Sequence, residues 1–361
     1  MNILIAWSNI SGYASACWKA LAARPGVNLQ VVAYAPRSSR SGTTAFAEGL
    51  VEGLDAVLID PDDAVAMDRA LEQRMDADVA AVSGWIHPSY VRLAKKRHAA
   101  GRPTLATLDQ PWEGTLKQQV TRLRRGPHFC RMARVVCAST AAEWYAGRLG
   151  VPPSRLKRML YAYDGKTFGA IAETRAGLTA ETWPRRFVFA GRLVSVKGID
   201  LLAEAYARYR DQVDDPWTLD VCGMGPEEAR LKSVPGVELR GFVSPDALPG
   251  VFGESGAFVF PSRYEPWGVA LAEAMGAGLP AVCSSAVHAG RDLVRDCDTG
   301  LIFQNGDAAG LCRSLRWMHE HAEVLPEMGR RAASIAASFT ADRWALRWEA
   351  TLREVMAEAR K

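Results

Sequence analysis

The sequence predicts an α/β protein made of two Rossmann-like, doubly wound parallel-sheet domains. Three observations carry this. Short, nearly continuous apolar runs alternate with amphipathic helical stretches, as strands buried on both faces of a parallel sheet require. The scheme occurs twice, before and after a segment at about 165–186 that lacks periodicity. With 361 residues, 48% apolar and 23% charged, the chain is globular in composition and long enough for two cores.

In the first half the strand candidates are 3–6, 29–33, 56–59, 79–82, 104–108 and 135–138, with helices such as 14–24 and 64–74 between them. The second half has strands at 187–190, 218–222, 237–240, 257–260 and 281–284, and helices at 199–211, 226–232, 269–276 and 308–320. The segment around 165–186 reads as a hinge. The expected division is a first domain over 1–168, a linker over 169–186, a second domain over 187–338 and a helix over 339–361. In that helix Trp344, Trp348, Leu352 and Val355 share one face. Two tryptophans need a large apolar surface. The first domain offers one if the chain crosses back over a cleft between the domains; packing on its own domain is the alternative.

The formal charge of +4 is unevenly spread. Residues 92–134 hold eleven Lys/Arg against Asp109 and Glu113. Such a block attracts an anionic partner or is simply a solvated face. The seven scattered cysteines show no C-x-x-C spacing, which predicts free thiols in a reducing, cytoplasmic setting. The N-terminal run ending at Trp7 lacks a basic flank and reads as a strand rather than a signal peptide. No stretch of about 18 apolar residues is present to span a membrane.

Open α/β sheets bind ligands at the carboxyl ends of their strands. At that edge of the second domain, Gly191-Arg192-Leu193-Val194-Ser195-Val196-Lys197-Gly198 sets two cations around a short loop, an arrangement suited to a diphosphate. The run from Phe260 to Pro280 contains Glu265-Pro266-Trp267-Gly268-Val269 and, in the following helix, Glu273. Gly268 lets backbone approach a ligand, and the first N–H groups of the helix favour an anion by roughly 0.3–2 kcal/mol. Two carboxylates invite a hydrolase reading. Beside an anion cradle they are better placed to bond hydroxyls, Glu273 those of a ribose and Glu265 those of a transferred sugar. Gly223, in the turn Gly223-Met224-Gly225-Pro226, and Val243, in Gly241-Phe242-Val243, are placed to line a base pocket.

Together the strand–GR–x4–KG run, the G-x-G-P turn, the G-F-V run, the P-S-x-x-E-P-x-G segment with Glu265 and Glu273, and the G-x-P beyond it resemble family 4 retaining glycosyltransferases of the GT-B fold. The resemblance implies a nucleotide-diphosphate sugar donor, no metal or other cofactor, and retention at the anomeric carbon. It places the donor in the second domain and the acceptor in the first. Arg192 and Lys197 would hold the diphosphate, and the amides of Trp267, Gly268 and Val269 would face phosphate and sugar. The departing diphosphate would take the acceptor's proton, so cations at the leaving group do the main work. Glycan, polysaccharide, glycolipid and small-metabolite products all stay open.

The first domain departs from the family. Ser8-Asn9-Ile10-Ser11-Gly12-Tyr13 replaces a Gly-rich loop, leaving Gly12 to admit a phosphate. Tyr13 either faces the acceptor or packs. Asp109 stands where the family often has a histidine; it contacts the sugar or is a turn residue before Pro111, and the former is favoured. His87, at another strand end, is a rival acceptor contact. Tyr161-Ala162-Tyr163-Asp164 stands at an Asn-Gly-x-Asp turn, of which Asp164 alone matches, and is expected to be hinge structure. The basic block, with Lys117, Arg122, Arg124, Arg125, Arg131 and Arg134 beside Leu116, Val120 and Leu123, suggests peripheral contact with an anionic membrane, at the inner face of the cell membrane.

Other readings are weaker. A nicotinamide enzyme would need G-x-G-x-x-G and an acid after the second strand. Asp60-Pro61-Asp62 resembles a metal motif but precedes a helix, where capping accounts for it. His319 and His321 lie on different helix faces. A basic nucleic-acid binder would show aromatic interleaving or a known motif. A nucleotide-sugar epimerase or hydrolase, or a non-catalytic nucleotide-sugar binder, remain the alternatives.

Overall fold

The computed structural model describes residues 1–8, 10–35 and 49–360. The chain forms two compact units, one of Met1–Ala162 with Ala341–Lys361, the other of Tyr163–Thr340.

Among the described residues the first unit holds seven parallel strands. They are β1 (Asn2–Trp7), β2 (Asn28–Tyr34), β3 (Asp55–Ile59), β4 (Val79–Val82), β5 (Thr104–Leu108), β6 (Arg134–Cys137) and β7 (Leu156–Arg158), in the order β3-β2-β1-β4-β5-β6-β7. The direction of winding reverses between β1 and β4, where Ile3 lies opposite both Leu29 and Val79. Helices α1 (Gly12–Ala22), α2 (Ala64–Glu72), α3 (Pro88–Ala99), α4 (Leu116–Cys130) and α5 (Thr140–Arg148) connect the strands. Strands β4, β5 and β6 are buried at every position, as their apolar runs require. The edge strand β7, Leu-Lys-Arg, has no such run, and the sequence pattern does not reveal it.

The second unit has six parallel strands, β8 (Arg186–Ala190), β9 (Thr218–Cys222), β10 (Val237–Gly241), β11 (Ala257–Phe260), β12 (Ala281–Ser284) and β13 (Gly300–Phe303). Their order is β10-β9-β8-β11-β12-β13, so the reversal falls between β8 and β11. Strand β13 adds to the five that the sequence predicts. Helices α6 (Gly165–Arg175), α7 (Ile199–Arg210), α8 (Glu228–Lys232), α9 (Leu248–Gly253), α10 (Val269–Gly276), α11 (His288–Leu293), α12 (Ala308–Glu320) and α13 (Leu325–Ala336) complete it.

The expected linker over 169–186 is not a linker. Its first part lies in α6, capped by Asp164 through the amides of Lys166 and Thr167. Arg175 is buried, donates to the carbonyls of Phe252 and Gly253, and lies 4.3 Å over the Trp183 ring. Trp183 in turn donates to Gly256. The helix hid from a search for apolar periodicity because a guanidinium with a set of carbonyl acceptors takes a core position.

The last helix, α14 (Ala341–Ala359), belongs to the first unit. Trp344 and Trp348 stack with centroids 4.6 Å apart, and their indoles donate to the carbonyls of Leu160 and Met159. Glu349 pairs with Arg24, while Glu354 and Glu358 hold Arg134.

Candidate functional site

In the second unit the motif loops lie at the carboxyl ends of β8, β9 and β11, flanking the reversal point. The chain leaves β8 through Gly191, passes Arg192, makes a turn at Ser195–Lys197 and enters α7 at Gly198. Arg192 is exposed. Gly198 has φ 69°, and a Cβ there would overlap the carbonyl oxygen of Pro261. The cation loop is therefore locked against the loop that carries Glu265. Behind it the amide of Leu193 donates to Met224, which ties the Arg192 loop to the Gly223–Gly225 turn. Val243 follows β10, half-buried, beside exposed Phe242. The Gly223 amide donates to Gly241 at 2.7 Å.

Lys197 forms an ion pair with Glu265 and lies 5.2 Å from the centre of the Phe260 ring. Glu265 is held by its backbone: its N–H donates to Ala286 and its carbonyl accepts from His288. Trp267 is buried, with Phe339 against its ring. Gly268 precedes α10 with φ 114°, tightly bounded by Val287, Phe260 and Glu265. The amide of Val269 then begins the helix. Glu273 lies one turn further in. It keeps some open surface, yet dense surroundings desolvate its carboxyl and, with the nearby charge of Asp164, push its pKa up to about 7. A group at that pKa exchanges its proton near neutrality, so its hydrogen-bonding role depends on pH.

In the first unit the strand ends of β1, β4 and β5 enclose a cavity of about 200 Å³ lined by Trp7, Ser8, Tyr13, Ser83, Asp109 and Tyr161 among others. Tyr161 donates to Asp109 at 3.0 Å and meets Tyr13 edge-on at 5.3 Å. Ser8 and Ser83 share a hydrogen bond. The cavity thus brings together Tyr13 and Asp109 from the sequence candidates. It adds Tyr161, which the sequence alone presents as hinge structure. Gly12 opens α1, whose start is capped by Ser11 on the amide of Ala14; its neighbour Asn9 lies outside the described residues.

His87 does not join this cavity. It precedes α3 at the cap position and packs on Tyr34 and Tyr90, and burial lowers its pKa. The basic block is also thinner than its count suggests. Arg92, Lys96 and Arg102 pair with Asp68, Glu72 and Asp76. Arg97 is buried against backbone carbonyls, and Arg134 is buried against Glu354 and Glu358. Arg134 therefore leaves the set suggested for membrane contact. Asp60-Pro61-Asp62 makes local turn bonds ahead of α2, with Asp63 as the cap.

The model of the family described as glycosyl transferases group 1 matches residues 171–334. The match lies within the second unit. A D-inositol 3-phosphate glycosyltransferase of Streptomyces coelicolor is 32% identical over 185 residues, 47% of this chain and 40% of its own length. The chain thus spans less than half of that relative. The alpha-D-kanosaminyltransferase of Streptomyces kanamyceticus is 24% identical over 264 residues, 70% of this chain and 66% of its own. Among solved structures, Anabaena Alr3699/HepE in complex with UDP superposes with a TM-score of 0.76 at 16% identity, covering 98% of this chain and all of that one. The two parallel-sheet units make this the two-domain GT-B fold.

Proposed function

We propose that the protein is a retaining, metal-independent glycosyltransferase that moves a sugar from a nucleotide-diphosphate donor to an acceptor hydroxyl. The observation that carries this reading is the pairing of Lys197 with Glu265 at the mouth of α10, with Arg192 exposed and in no ion pair among the described residues. A diphosphate set there would meet Lys197, Arg192 and the amides of Gly268 and Val269. Displacing Glu265 from Lys197 releases its carboxylate for the donor sugar's hydroxyls, while Glu273 bonds the ribose. Negative charge growing on the leaving diphosphate would be stabilised by the two cations, and the acceptor's proton would pass to it on the same face. Gly223 and Val243 would flank the base. Asp109 and Tyr13 belong to the acceptor side, and Gly12 would admit a phosphate. The family match and the relatives' names support this reading, as does the UDP held by the structural neighbour.

A thermal-shift screen of nucleoside diphosphates tests donor binding, since a selective ligand stabilises by RT ln(1 + [L]/Kd). Product formation in EDTA, with the anomeric configuration read by NMR, tests the rest. Loss of activity in EDTA or an inverted product defeats the metal-independent or the retaining half. Release of free or epimerised sugar without acceptor would favour a hydrolase or epimerase instead.

A second reading concerns place. On α4, Leu116, Val120 and Leu123 are exposed at 85%, 47% and 79%, at spacings i, i+4 and i+7, with Lys117, Arg122, Arg124 and Arg125 on the same helix. An exposed apolar stripe with basic flanks suits a peripheral contact with anionic lipid in the cytoplasm, where a lipid-linked acceptor for polysaccharide or glycolipid synthesis would reside. No described helix is long and apolar enough to cross a membrane. Retention on anionic liposomes at low salt, lost at high salt, is the expected result; no retention at low salt ends this reading.

A further inference from the structure

The pocket that holds Asp109 has a second chamber beside it. Trp85 lines both the cavity of about 200 Å³ at the strand ends and another of about 440 Å³ against α4. The two differ in chemistry. The first is lined by aromatic rings, hydroxyls and Asp109, with no cation. The second is lined by Trp85, Leu116 and Val120 together with Lys117, Thr121, Arg124 and Arg125, and by no carboxylate. On a helix, positions 117, 121, 124 and 125 fall on one face, so three cations border one space.

Those cations are also uncompensated. Among the described residues none of the three is in an ion pair, whereas Arg92, Lys96 and Arg102 nearby each have a carboxylate. The buried His128 senses one of these charges, that of Arg125. Neither ring nitrogen of His128, one turn beyond Arg124, has a hydrogen-bond partner in good geometry, although the Gly84 backbone lies close. Burial first, then the charges of Arg125, Arg131 and Lys95, hold its pKa down to about 4. Like charges grouped on one exposed face raise the local affinity for an anion, and guanidinium forks match phosphate oxygens in shape.

We infer that the α4 chamber binds a phosphate or diphosphate group of the acceptor, whose hydroxyl-bearing end occupies the neighbouring chamber beyond Trp85. The acceptor is then a phosphorylated molecule, neutral where it reacts and anionic at its other end. This rests on the glycosyltransferase reading for the word acceptor, but the anion site itself does not.

The test uses the full chain without lipid and inorganic pyrophosphate as the probe. Calorimetric titration is done on a Lys197→Gln background, which weakens the cradle of the second unit, with and without Arg124→Gln and Arg125→Gln. Both arginines are exposed, so an unchanged melting curve confirms that the variants fold. The expected result is a binding event that the double substitution weakens roughly tenfold or more, as loss of charge-assisted hydrogen bonds does. No binding, or binding that ignores the double substitution, overturns the inference. A third arm compares anionic vesicles. If the substitutions reduce vesicle retention but leave pyrophosphate binding unchanged, the charges serve a surface and the inference fails. The parent reading is monitored separately by nucleoside diphosphate binding to the chain with Lys197 intact. Its failure beside intact pyrophosphate binding at α4 would remove the transferase reading while leaving the anion site standing.

Discussion

Glu273 and Glu265 lie close in sequence on the same motif, yet their surroundings set them apart. Glu265 faces a cation, Lys197, and Glu273 faces a desolvated space shared with Asp164. Alanine at Glu273 is expected mainly to weaken donor binding, raising KM. Alanine at Glu265 is expected mainly to lower kcat; equal changes of both parameters in both variants would reject that division. The raised pKa of Glu273 also has a stability consequence. The folded state holds this proton more tightly than the unfolded chain, so stability falls as pH rises from about 4.5 to about 7. Glu273→Gln removes that penalty. Its melting midpoint should exceed that of the parent at pH 8, and the two should converge near pH 4; an offset that does not change with pH would contradict the assignment. In the first unit, Tyr161→Phe deletes the hydrogen bond to Asp109 but keeps the ring against Tyr13. If Asp109 contacts the acceptor, this change should lower kcat/KM by about tenfold, the effect of losing one hydrogen bond to a charged group, with nucleoside diphosphate affinity unchanged. Full activity in this variant would leave Asp109 without a positioning partner.

At the scale of elements, the donor loops act as one unit because backbone packs directly on backbone. Gly198, with φ 69°, admits the Pro261 carbonyl where any Cβ would collide. Gly198→Ala should cost about 1–3 kcal/mol and should weaken nucleotide binding by separating the Lys197 loop from the Glu265 loop. Denaturant unfolding and nucleotide titration of the same sample check both effects. If stability falls and nucleotide affinity does not, the two loops are not jointly required. The strand–GR–x4–KG and P-S-x-x-E runs are legible because glycine and proline punctuate them. The contact between them is not, since it joins residues 198 and 261 through backbone atoms that no side-chain pattern reports. Helix α6 is illegible for a related reason: Arg175, a core residue by position, reads as solvent by type.

At the scale of the whole molecule, the chain ends in a helix that packs within the unit where the chain began. Stacked Trp344 and Trp348 are each nearly fully buried, and their indole donors are satisfied by the carbonyls of Leu160 and Met159. Trp348→Ala should cost about 3–5 kcal/mol, as emptying a large aromatic site usually does, and should also leave the Met159 carbonyl without its donor. Unfolding followed by denaturant is the measurement. A loss below about 1 kcal/mol would mean that the helix contributes little to the first unit.

The sequence by itself determined the architecture of two parallel sheets and the two motif loops of the second unit. Periodicity and glycine placement act over a few residues, and both survive in a linear string. It also marked Glu265, Glu273, Arg192 and Lys197 as one chemical group, because the loops leaving parallel strands all emerge at a single sheet edge. Only the tertiary structure decided which charges in residues 92–134 are answered by carboxylates, how Tyr161 reaches Asp109, and that His87 turns to Tyr34 and Tyr90 rather than to that pocket. Those outcomes depend on partners tens to hundreds of residues away, such as Glu354 and Glu358 for Arg134. Charge compensation is a property of distance in space, and a sequence records distance only along the chain.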